Sequence, residues 1–285
     1  MDIRTAVIPI AGLGTRFLPA SRAVPKVMLP VLDTPVLHVA VQEALDAGVT
    51  RVVFIVSPGQ EGVDSYFRRD LRLESALSEE GSVGLLERVR SIPEPDGIQI
   101  VVQSERLGLG HAILLARETL GDEAFAVLLP DDVIWDDTPT IGRMMGVLGE
   151  RGGPVLAVKE VPDEAVSSLG IIEPRSSDGR VYELAGVVEK PRLENAPSNL
   201  AIIGRYVLTP DVFDALERTP PGAGGEIQLT DAIASLMDGR NVYGYRFPGF
   251  HIDVGTPLGL VKASVAEALR RTDMAPAMRE WLRQL

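Results

Sequence analysis

The sequence predicts an α/β protein built on a mixed, mainly parallel central sheet. In its first half, short apolar segments alternate with segments of helical periodicity, which is the pattern of parallel strands joined by crossover helices. In the second half a run of strands replaces this alternation, so the sheet is expected to be mixed. A glycine-containing loop, AGLGTR, directly follows the first apolar segment. Such a loop at the end of a buried strand favours an anionic ligand.

The composition excludes several classes of protein. The chain has 285 residues, and no apolar run in it approaches the roughly 20 residues that span a bilayer. The N-terminus lacks a basic region followed by a long apolar stretch and a cleavage site, which favours a cytoplasmic location and no membrane partner. The formal net charge of −12 argues against nucleic-acid binding, which needs a basic face.

Any metal site in this chain must use oxygen ligands. The absence of cysteine excludes disulfides, thiolate catalysis and cysteine-ligated metals. The three histidines, His38, His111 and His251, are scattered and do not have zinc-binding spacing. An acidic protein binds an anion only where local cations reverse the field, so basic residues close to glycine loops are informative.

The first element is a buried strand at residues 6–10, a short and partly β-branched apolar run. In the loop after it, Gly12 and Gly14 allow positive φ and close approach of a ligand, and the exposed amides can bind phosphate oxygens. Arg16 and Lys26 place two cations a short way downstream. A tight turn without a ligand is the alternative for the glycines alone, and the two cations favour an anion site.

The remaining elements follow in chain order. Residues 35–48 predict a helix with Gly48 as its C-terminal stop, and residues 51–56 predict a strand buried on both faces. Residues 60–97 are charged and turn-rich and predict a surface insertion with helical patches at 65–77 and 85–90. The other expected strands are 98–102, 125–129, 154–160, 181–189, 200–208 and 241–247, and the other expected helices are 108–120, 141–149, 211–218, 228–238, 257–271 and 275–285.

Gln103 and Gly108 lie in the loop between a predicted strand and a predicted helix. A glutamine side chain offers both a donor and an acceptor, which suits the edge of a pyrimidine, and a nearby glycine permits close approach of the backbone to a base. The alternative is that Gln103 is a solvated loop residue. His111 is interpreted as a residue at the start of the helix.

Carboxylates follow two of the predicted strands. Asp131 and Asp132 come directly after a buried strand, where open α/β sheets bind ligands, and carboxylate oxygens are the ligands that Mg²⁺ prefers. An aspartate pair that caps the next turn is the alternative. Asp253 lies between the last predicted strand and the following helix, so it is either an N-cap or a second metal ligand.

Glu189 and Lys190 end another predicted strand as an adjacent acid and base. A glutamate can accept two hydroxyl hydrogen bonds, as a sugar ring offers, and a lysine can meet a phosphate as a point charge. The alternative is an ordinary surface ion pair at the end of a strand.

Several segments resemble one family. The strings GLGTRF at 12–17 and PKVMLP at 25–30 resemble the signature loop of the sugar-1-phosphate nucleotidylyltransferases. APSNLAIIGRY at 196–206 and PPGAGGEIQLTD at 220–231 look like the bacterial UTP–glucose-1-phosphate uridylyltransferases in particular. The resemblance implies a nucleotidyltransferase fold, which is a Rossmann-like three-layer α/β/α sandwich. It further implies transfer of a uridylyl group from UTP to glucose 1-phosphate, Mg²⁺ dependence, and a homo-oligomer, either a dimer or a tetramer.

The resemblance also implies a role for each matched residue. The backbone of Ala11, Gly12, Leu13 and Gly14 would hold the nucleotide, and Arg16 and Lys26 would bind its phosphates. Gln103 and Gly108 would bind uracil, and Asp131 and Asp253 would bind Mg²⁺. Gly170 and Glu189 would bind the glucose hydroxyls, and Lys190 would bind the sugar phosphate. The catalytic residues would be Arg16, Lys26, Asp131 and Lys190. Residues 1–285 would form one domain, with a nucleotide half at about 1–150, a sugar-phosphate half at about 151–255 and C-terminal helices after it.

Alternatives to this function remain at the level of the sequence. The family usually has Glu where this chain has Val27, so thymidylyl transfer or relaxed selection between UTP and dTTP is the nearest alternative. A non-catalytic nucleotide-sugar sensor on the same fold is an alternative of another class. An NAD-dependent oxidoreductase is disfavoured because Phe17 stands where the third fingerprint glycine would be. No Gly-Lys-Ser or Gly-Lys-Thr occurs, which excludes a P-loop ATPase.

Overall fold

The computed structural model describes residues 2–285, without the side chain of Ala223. The strands are β1 Thr5–Pro9, β2 Pro30–Val31, β3 Thr34–Pro35, β4 Arg51–Val56, β5 Gly97–Val102, β6 Phe125–Leu128, β7 Asp132–Trp135, β8 Val155–Glu160, β9 Gly170–Asp178, β10 Val181–Glu189, β11 Leu200–Leu208, β12 Tyr243–Arg246 and β13 Phe250–Asp253. The α-helices are α1 Val36–Asp46, α2 Leu71–Glu79, α3 Val83–Arg90, α4 Gly108–Leu114, α5 Arg117–Leu120, α6 Thr140–Arg151, α7 Asp163–Val166, α8 Asp211–Arg218, α9 Leu229–Leu236, α10 Pro257–Arg270 and α11 Ala275–Gln284.

Nine of these strands form one mixed sheet in the order β5-β4-β1-β6-β11-β8-β12-β10-β9. Strands β5, β4, β1 and β6 are parallel, so their carboxyl ends meet at one edge. Strand β11 runs antiparallel to both β6 and β8, as the run of strands in the second half predicts. The sheet therefore continues without interruption from the first half of the chain into the second.

Successive residues of the central strands face opposite sides of the sheet. Ile8 packs into a core with α1 and α6, whereas its neighbour Val7 packs into a second core with α4, α8 and α9. Phe54 and Ile55 of β4 divide between the same two cores. Because both faces are covered by helices, these strands are continuously apolar. The predicted α/β/α sandwich with a mixed central sheet is confirmed.

Five strands are absent from the sequence prediction, namely the two-residue strands β2 and β3 and the longer strands β7, β9 and β13. β7 and β13 pair with each other in a separate antiparallel ladder, in which Asp132 lies opposite Asp253. As a result, Asp253 is the last residue of a strand and not part of the loop expected after residue 247. β9 lacks a clear sequence signal, because only its first three residues are buried and the rest are exposed and mostly polar. The helix predicted at 108–120 is divided into α4 and α5.

None of the described helices is both long enough and apolar enough to cross a membrane.

Candidate active site at the carboxyl ends of the parallel strands

A cavity of about 330 Å³ lies at the edge of the sheet where β1, β5 and β6 end. Ligands of open α/β sheets bind at this edge, because the loops after parallel strands converge there. Seven of the predicted site residues line the cavity: Ala11, Gly12, Leu13, Lys26, Gln103, Gly108 and Asp131. Gly14, Arg16, Gly170, Glu189, Lys190 and Asp253 are not among its lining residues.

The glycine loop after β1 is shaped around Lys26. Gly14 has a φ of 63°, and a Cβ added there would lie 2.9 Å from Cβ of Lys26 and 3.2 Å from Cβ of Ser21. Only glycine therefore fits this turn without a shift of the backbone. Gly12 is also close, because a Cβ added there would lie 3.5 Å from Cε of Lys26. Arg16 is exposed in the short 3-10 helix that follows.

The Lys26 ammonium and the Asp131 carboxylate form an ion pair across the cavity. Nζ of Lys26 donates to Oδ2 of Asp131 over 2.8 Å, and both side chains are partly exposed. A cation held against a carboxylate in this way is pre-positioned, since little side-chain freedom remains to be lost when an anionic ligand binds. The pair joins the loop after β1 to the loop after β6.

Asp253 is brought next to Asp131 by the β7–β13 ladder. Both carboxylates lie close to Gly255. A Cβ added at Gly255 would lie 2.9 Å from Oδ1 of Asp253 and 3.3 Å from Oδ2 of Asp131. The backbone amide of Val254 donates to the carbonyl of Asp131 over 2.7 Å. Burial raises the pKa of Asp253, and the charges of Asp132 and Asp131 add to this rise. The two carboxylates therefore repel each other, and a bound cation would relieve that repulsion.

The donor set fits Mg²⁺ only in combination with a substrate. Within residues 2–285 no group of three or more His, Cys, Asp or Glu side chains is arranged to hold a metal ion. Mg²⁺ is commonly bound by one or two carboxylates together with substrate phosphates and water. Asp131 and Asp253 match this pattern.

Sequence reasoning missed the residues that support Asp131. Nε2 of His251 hydrogen-bonds Oδ1 of Asp132 at 2.6 Å, and the amide of Gly204 donates to its Oδ2 over 3.0 Å. Burial would raise the pKa of Asp132, but the hydrogen bond with His251 and the charges of His251 and Arg205 lower it below its ordinary value. Asp132 therefore stays ionised as an anchor beside Asp131. The only signal in the sequence was its position next to Asp131.

Arg205 holds the same segment from inside the sheet. Its guanidinium, only 1% exposed, donates to the carbonyls of Leu129, Asp132 and Gly204 and to Oε2 of Glu43. The carbonyls of Leu129 and Asp132 flank Asp131, so the guanidinium fixes the path of the backbone there. A buried arginine with all its neighbours paired is costly to remove.

Gln103 is a buried residue and not a solvated one. The residue is 7% exposed, and its Nε2 lies 3.2 Å from the carbonyl of Gly108 and 3.0 Å from Nδ1 of His111. His111 lies in the first turn of α4, as predicted, and also helps to hold Gln103. The amide is fixed at the cavity wall, in a suitable position to recognise a flat polar ring.

Glu189 and Lys190 lie at the end of β10, opposite Gly170 of β9. Nζ of Lys190 is 3.1 Å from Oε1 of Glu189, and Oγ1 of Thr230 donates to Oε2 over 2.7 Å. Lys190 has a φ of 46°, which is uncommon for a residue other than glycine. Such strain is often found at functional sites, where the surrounding structure maintains it.

The hydroxyl of Tyr206 in β11 is buried. Burial raises the pKa of this hydroxyl, and the charges of Asp132, Glu189 and Asp131 raise it further. The neutral form of the tyrosine is therefore favoured.

Val27 is a core residue that also lines the cavity. It is 3% exposed and packs with the apolar side chains of the α1 face of the sheet. Its surroundings therefore suit an apolar side chain.

A second cavity, of about 430 Å³, lies between α1, β7 and α10. Its lining includes the carboxylates of Glu43, Asp136, Asp137 and Glu267 and none of the predicted site residues. This acidic lining does not suit a nucleotide, so the smaller cavity is the candidate active site.

The comparisons with known proteins agree with this geometry. The model of the nucleotidyl transferase family matches residues 5–269. The chain belongs to the nucleotidyl transferase family. It is 44% identical over 283 residues to a UTP–glucose-1-phosphate uridylyltransferase of Staphylococcus epidermidis, with 99% of this chain and 98% of the relative covered. It is 46% identical over 283 residues, with the same coverage, to UTP–glucose-1-phosphate uridylyltransferase 2 of Staphylococcus saprophyticus.

Solved structures of this family have the same fold. A UTP-bound UGPase from Acinetobacter baumannii superposes with a TM-score of 0.90 at 37% identity, and the match covers 99% of each chain. A UDP-glucose pyrophosphorylase complexed with UDP-glucose has a TM-score of 0.85 at 38% identity, with 94% of this chain and 100% of that chain covered. The predicted resemblance and the predicted nucleotidyltransferase class are confirmed.

Gly108→Ala is expected to raise the KM for the nucleotide substrate at least tenfold. Gly108 has a φ of 90°, and a Cβ there would lie 2.7 Å from Cβ of Glu226, so the loop that holds Gln103 must move. The strain alone is about 1–2 kcal/mol. Steady-state kinetics with each substrate varied in turn measure the effect. Gly84→Ala in α3, where nothing lies within 4 Å of the added Cβ, is the matched control and should leave both KM values unchanged.

Proposed function

We propose that this protein transfers the uridylyl group of UTP to α-D-glucose 1-phosphate, giving UDP-glucose and pyrophosphate. One observation carries this proposal. The Gln103 amide, the glycine loop and the Lys26–Asp131 ion pair all line the same 330 Å³ cavity. Identity of 44–46% over the full chain to uridylyltransferases supports it. Thymidylyl transfer to the same sugar is less consistent with that identity.

The proposed roles follow the two ends of the site. The amides of Ala11, Gly12, Leu13 and Gly14 hold the nucleotide, and Arg16 and Lys26 bind its phosphates. Gln103 and Gly108 bind uracil. Gly170 and Glu189 bind glucose hydroxyls, and Lys190 binds the sugar phosphate. One domain of residues 1–285 carries all of them, with the nucleotide half at about 1–150, the sugar-phosphate half at about 151–255 and C-terminal helices after it. We further propose a cytoplasmic homo-oligomer, a dimer or a tetramer, with no nucleic-acid or membrane partner.

The chemistry is a single in-line displacement. A phosphate oxygen of glucose 1-phosphate attacks the α-phosphorus of UTP, and the bond to the β-phosphate oxygen breaks to release pyrophosphate. The attacking oxygen is already ionised near neutral pH, so no protein base or nucleophile is needed. The protein contributes position and charge neutralisation.

The cations of the site oppose a large repulsion. Two like charges ~4 Å apart cost ~4 kcal/mol at an effective dielectric constant of ~20. Lys26 and Arg16 on the nucleotide side and Lys190 on the sugar side reduce this cost when both phosphates are bound. Mg²⁺ held by Asp131 and Asp253 would supply further neutralisation of the phosphate charge.

Pyrophosphate release from purified protein with glucose 1-phosphate and Mg²⁺ tests the function, with UTP, dTTP, ATP, GTP and CTP compared in parallel. We expect a clear preference for UTP. Comparable use of dTTP would indicate relaxed selection, which the apolar Val27 permits. No turnover with any of the five nucleotides would contradict the proposal and favour a nucleotide-sugar sensor.

Two substitutions of Lys190 distinguish the backbone strain at this residue from the role of its ammonium group in binding. Both Lys190→Ala and Lys190→Gly should raise the KM for glucose 1-phosphate, because each removes the ammonium. Since the backbone here has a φ of 46°, the Gly variant should be more stable than the Ala variant by about 1 kcal/mol. Urea unfolding measures the stability and steady-state kinetics the KM. Equal stability of the two variants, or an unchanged KM, would contradict the expectation.

A further inference from the structure

Thr230 is a buried side chain that contacts the candidate sugar site without lining the cavity. It belongs to the first turn of α9 and is 6% exposed. Its hydroxyl donates to Oε2 of Glu189 over 2.7 Å, while Oε1 of the same carboxylate faces Nζ of Lys190 at 3.1 Å. The two oxygens of Glu189 are therefore held by two different partners.

Of these two partners, only Thr230 is expected to stay bonded to Glu189 when the sugar phosphate binds. Lys190 is half exposed, and in the proposed reaction its ammonium binds the sugar phosphate. Once it does so, the bond from Thr230 is the contact that still fixes the plane of the Glu189 carboxylate. This matters because the last torsion of a glutamate side chain has no sharp rotamer preference of its own.

The backbone of β9 restricts the pair from the other side. A Cβ added at Gly170 would lie 3.1 Å from Oε2 of Glu189 and 3.2 Å from Oγ1 of Thr230. A larger side chain at position 170 would therefore crowd both groups, and glycine leaves room for this arrangement. Within it, the hydroxyl of Thr230 is the hydrogen-bond partner that holds Oε2 of Glu189.

The segment before Thr230 ties this arrangement to the base loop. The amide of Ile227 donates to the carbonyl of Leu107 over 2.7 Å, and its carbonyl accepts from the amide of Gly110 over 2.8 Å. Residues 227–230 therefore contact the loop that holds Gln103 at one end and Glu189 at the other. The separation between the base loop and the sugar carboxylate is set by this short, hydrogen-bonded connection.

We propose that Thr230 is a positioning residue for sugar recognition, which orients the Glu189 carboxylate toward the hydroxyls of the glucosyl group. The inference rests on the proposed function, because it takes the ligand of Glu189 to be the sugar of glucose 1-phosphate and UDP-glucose. It predicts that the hydroxyl of Thr230 contributes to binding of the glucose part of the ligand and not to binding of the nucleotide part.

Calorimetric binding of UDP and of UDP-glucose to the full chain separates the two contributions. Thr230→Val, which removes only the hydrogen-bonding group, should weaken UDP-glucose binding about tenfold and leave the Kd for UDP unchanged. Thr230→Ser keeps the hydroxyl and should restore UDP-glucose affinity to near that of the wild type. Thr219→Val at the end of α8, whose hydroxyl bonds the carbonyl of Ala215, is the matched control and should change neither Kd.

Thermal unfolding of each variant shows whether it is folded, and Thr230→Ala replaces the valine variant if that one is not. Equal weakening of UDP and UDP-glucose, or no weakening of either, would overturn the role of Thr230. Failure of serine to restore UDP-glucose affinity would do the same. Because the readout is binding, an absence of turnover with UTP would contradict the proposed function and still leave the role of Thr230 decided by the two Kd values.

Discussion

Asp131→Asn is expected to lower kcat about 1,000-fold, which corresponds to about 4 kcal/mol of transition-state stabilisation. The substitution keeps the shape of the side chain and removes its charge. It takes away one of the two carboxylates that converge beside Gly255, and it also removes the anionic partner of the Lys26 ammonium. Steady-state kinetics at several Mg²⁺ concentrations measure kcat and the concentration of metal that gives half-maximal rate, which should rise.

Asp137→Asn is the matched control for that variant. Asp137 is exposed and lines the acidic cavity between α1 and α10, away from the glycine loop. It should therefore retain the kcat and the Mg²⁺ dependence of the wild type. A kcat of Asp131→Asn within tenfold of the wild-type value would show that Asp131 does not have the proposed role.

Arg205→Met should destabilise the folded protein by about 3–5 kcal/mol. The guanidinium is 1% exposed and makes five hydrogen bonds, two of them to Oε2 of Glu43 over 2.8–3.0 Å. Methionine fills similar space but removes the guanidinium donor from three carbonyls and from a largely buried carboxylate. The free energy of unfolding from urea titration measures the loss.

A second substitution tests the cause of that loss. Arg205→Met combined with Glu43→Leu removes both charges, so it should recover part of the stability, since replacing both members of a buried pair is often close to neutral. Glu43 is the partner of the guanidinium, so the two effects should not be additive. A loss below 1 kcal/mol for Arg205→Met, or purely additive effects in the double variant, would contradict this account of the pair.

Elements with local signals are predictable from the sequence. β4, β11 and α8 have the predicted bounds, Arg51–Val56, Leu200–Leu208 and Asp211–Arg218. Both strands are almost continuously buried and mainly apolar, although Arg205 interrupts the apolar run of β11, and α8 has an apolar stripe on one side. In each case the residues of the element itself carry the signal.

The β7–β13 ladder is not predictable in this way. Each of its strands has four residues, and the polar side chains of Asp132 and His251 interrupt the apolar pattern of short strands. These strands are held by pairing with each other, and the cross-strand bond between Asp132 and His251 joins residues 119 positions apart. The apolar periodicity of a short segment cannot indicate a contact between residues so far apart in the sequence.

In the candidate site too, individual residues are predictable from the sequence, whereas contacts between distant residues are not. The sequence identifies Lys26 and Asp131 separately, yet their ion pair spans 105 positions and only the fold brings them together. Gln103 and His111 are close in the chain, and a hydrogen bond between them could have been considered. Arg205 and Thr230 lie within motifs that resemble the family, but the sequence alone does not show which carboxylate each contacts.

The most direct test of single-step uridylyl transfer is the stereochemical course at the α-phosphorus. UTP with sulfur in place of one non-bridging α-oxygen of defined configuration is incubated with glucose 1-phosphate, and the configuration of the thio-substituted UDP-glucose is assigned by phosphorus NMR. A single in-line displacement predicts inversion at this phosphorus. Retention would show a second displacement through a covalent intermediate and would contradict the account.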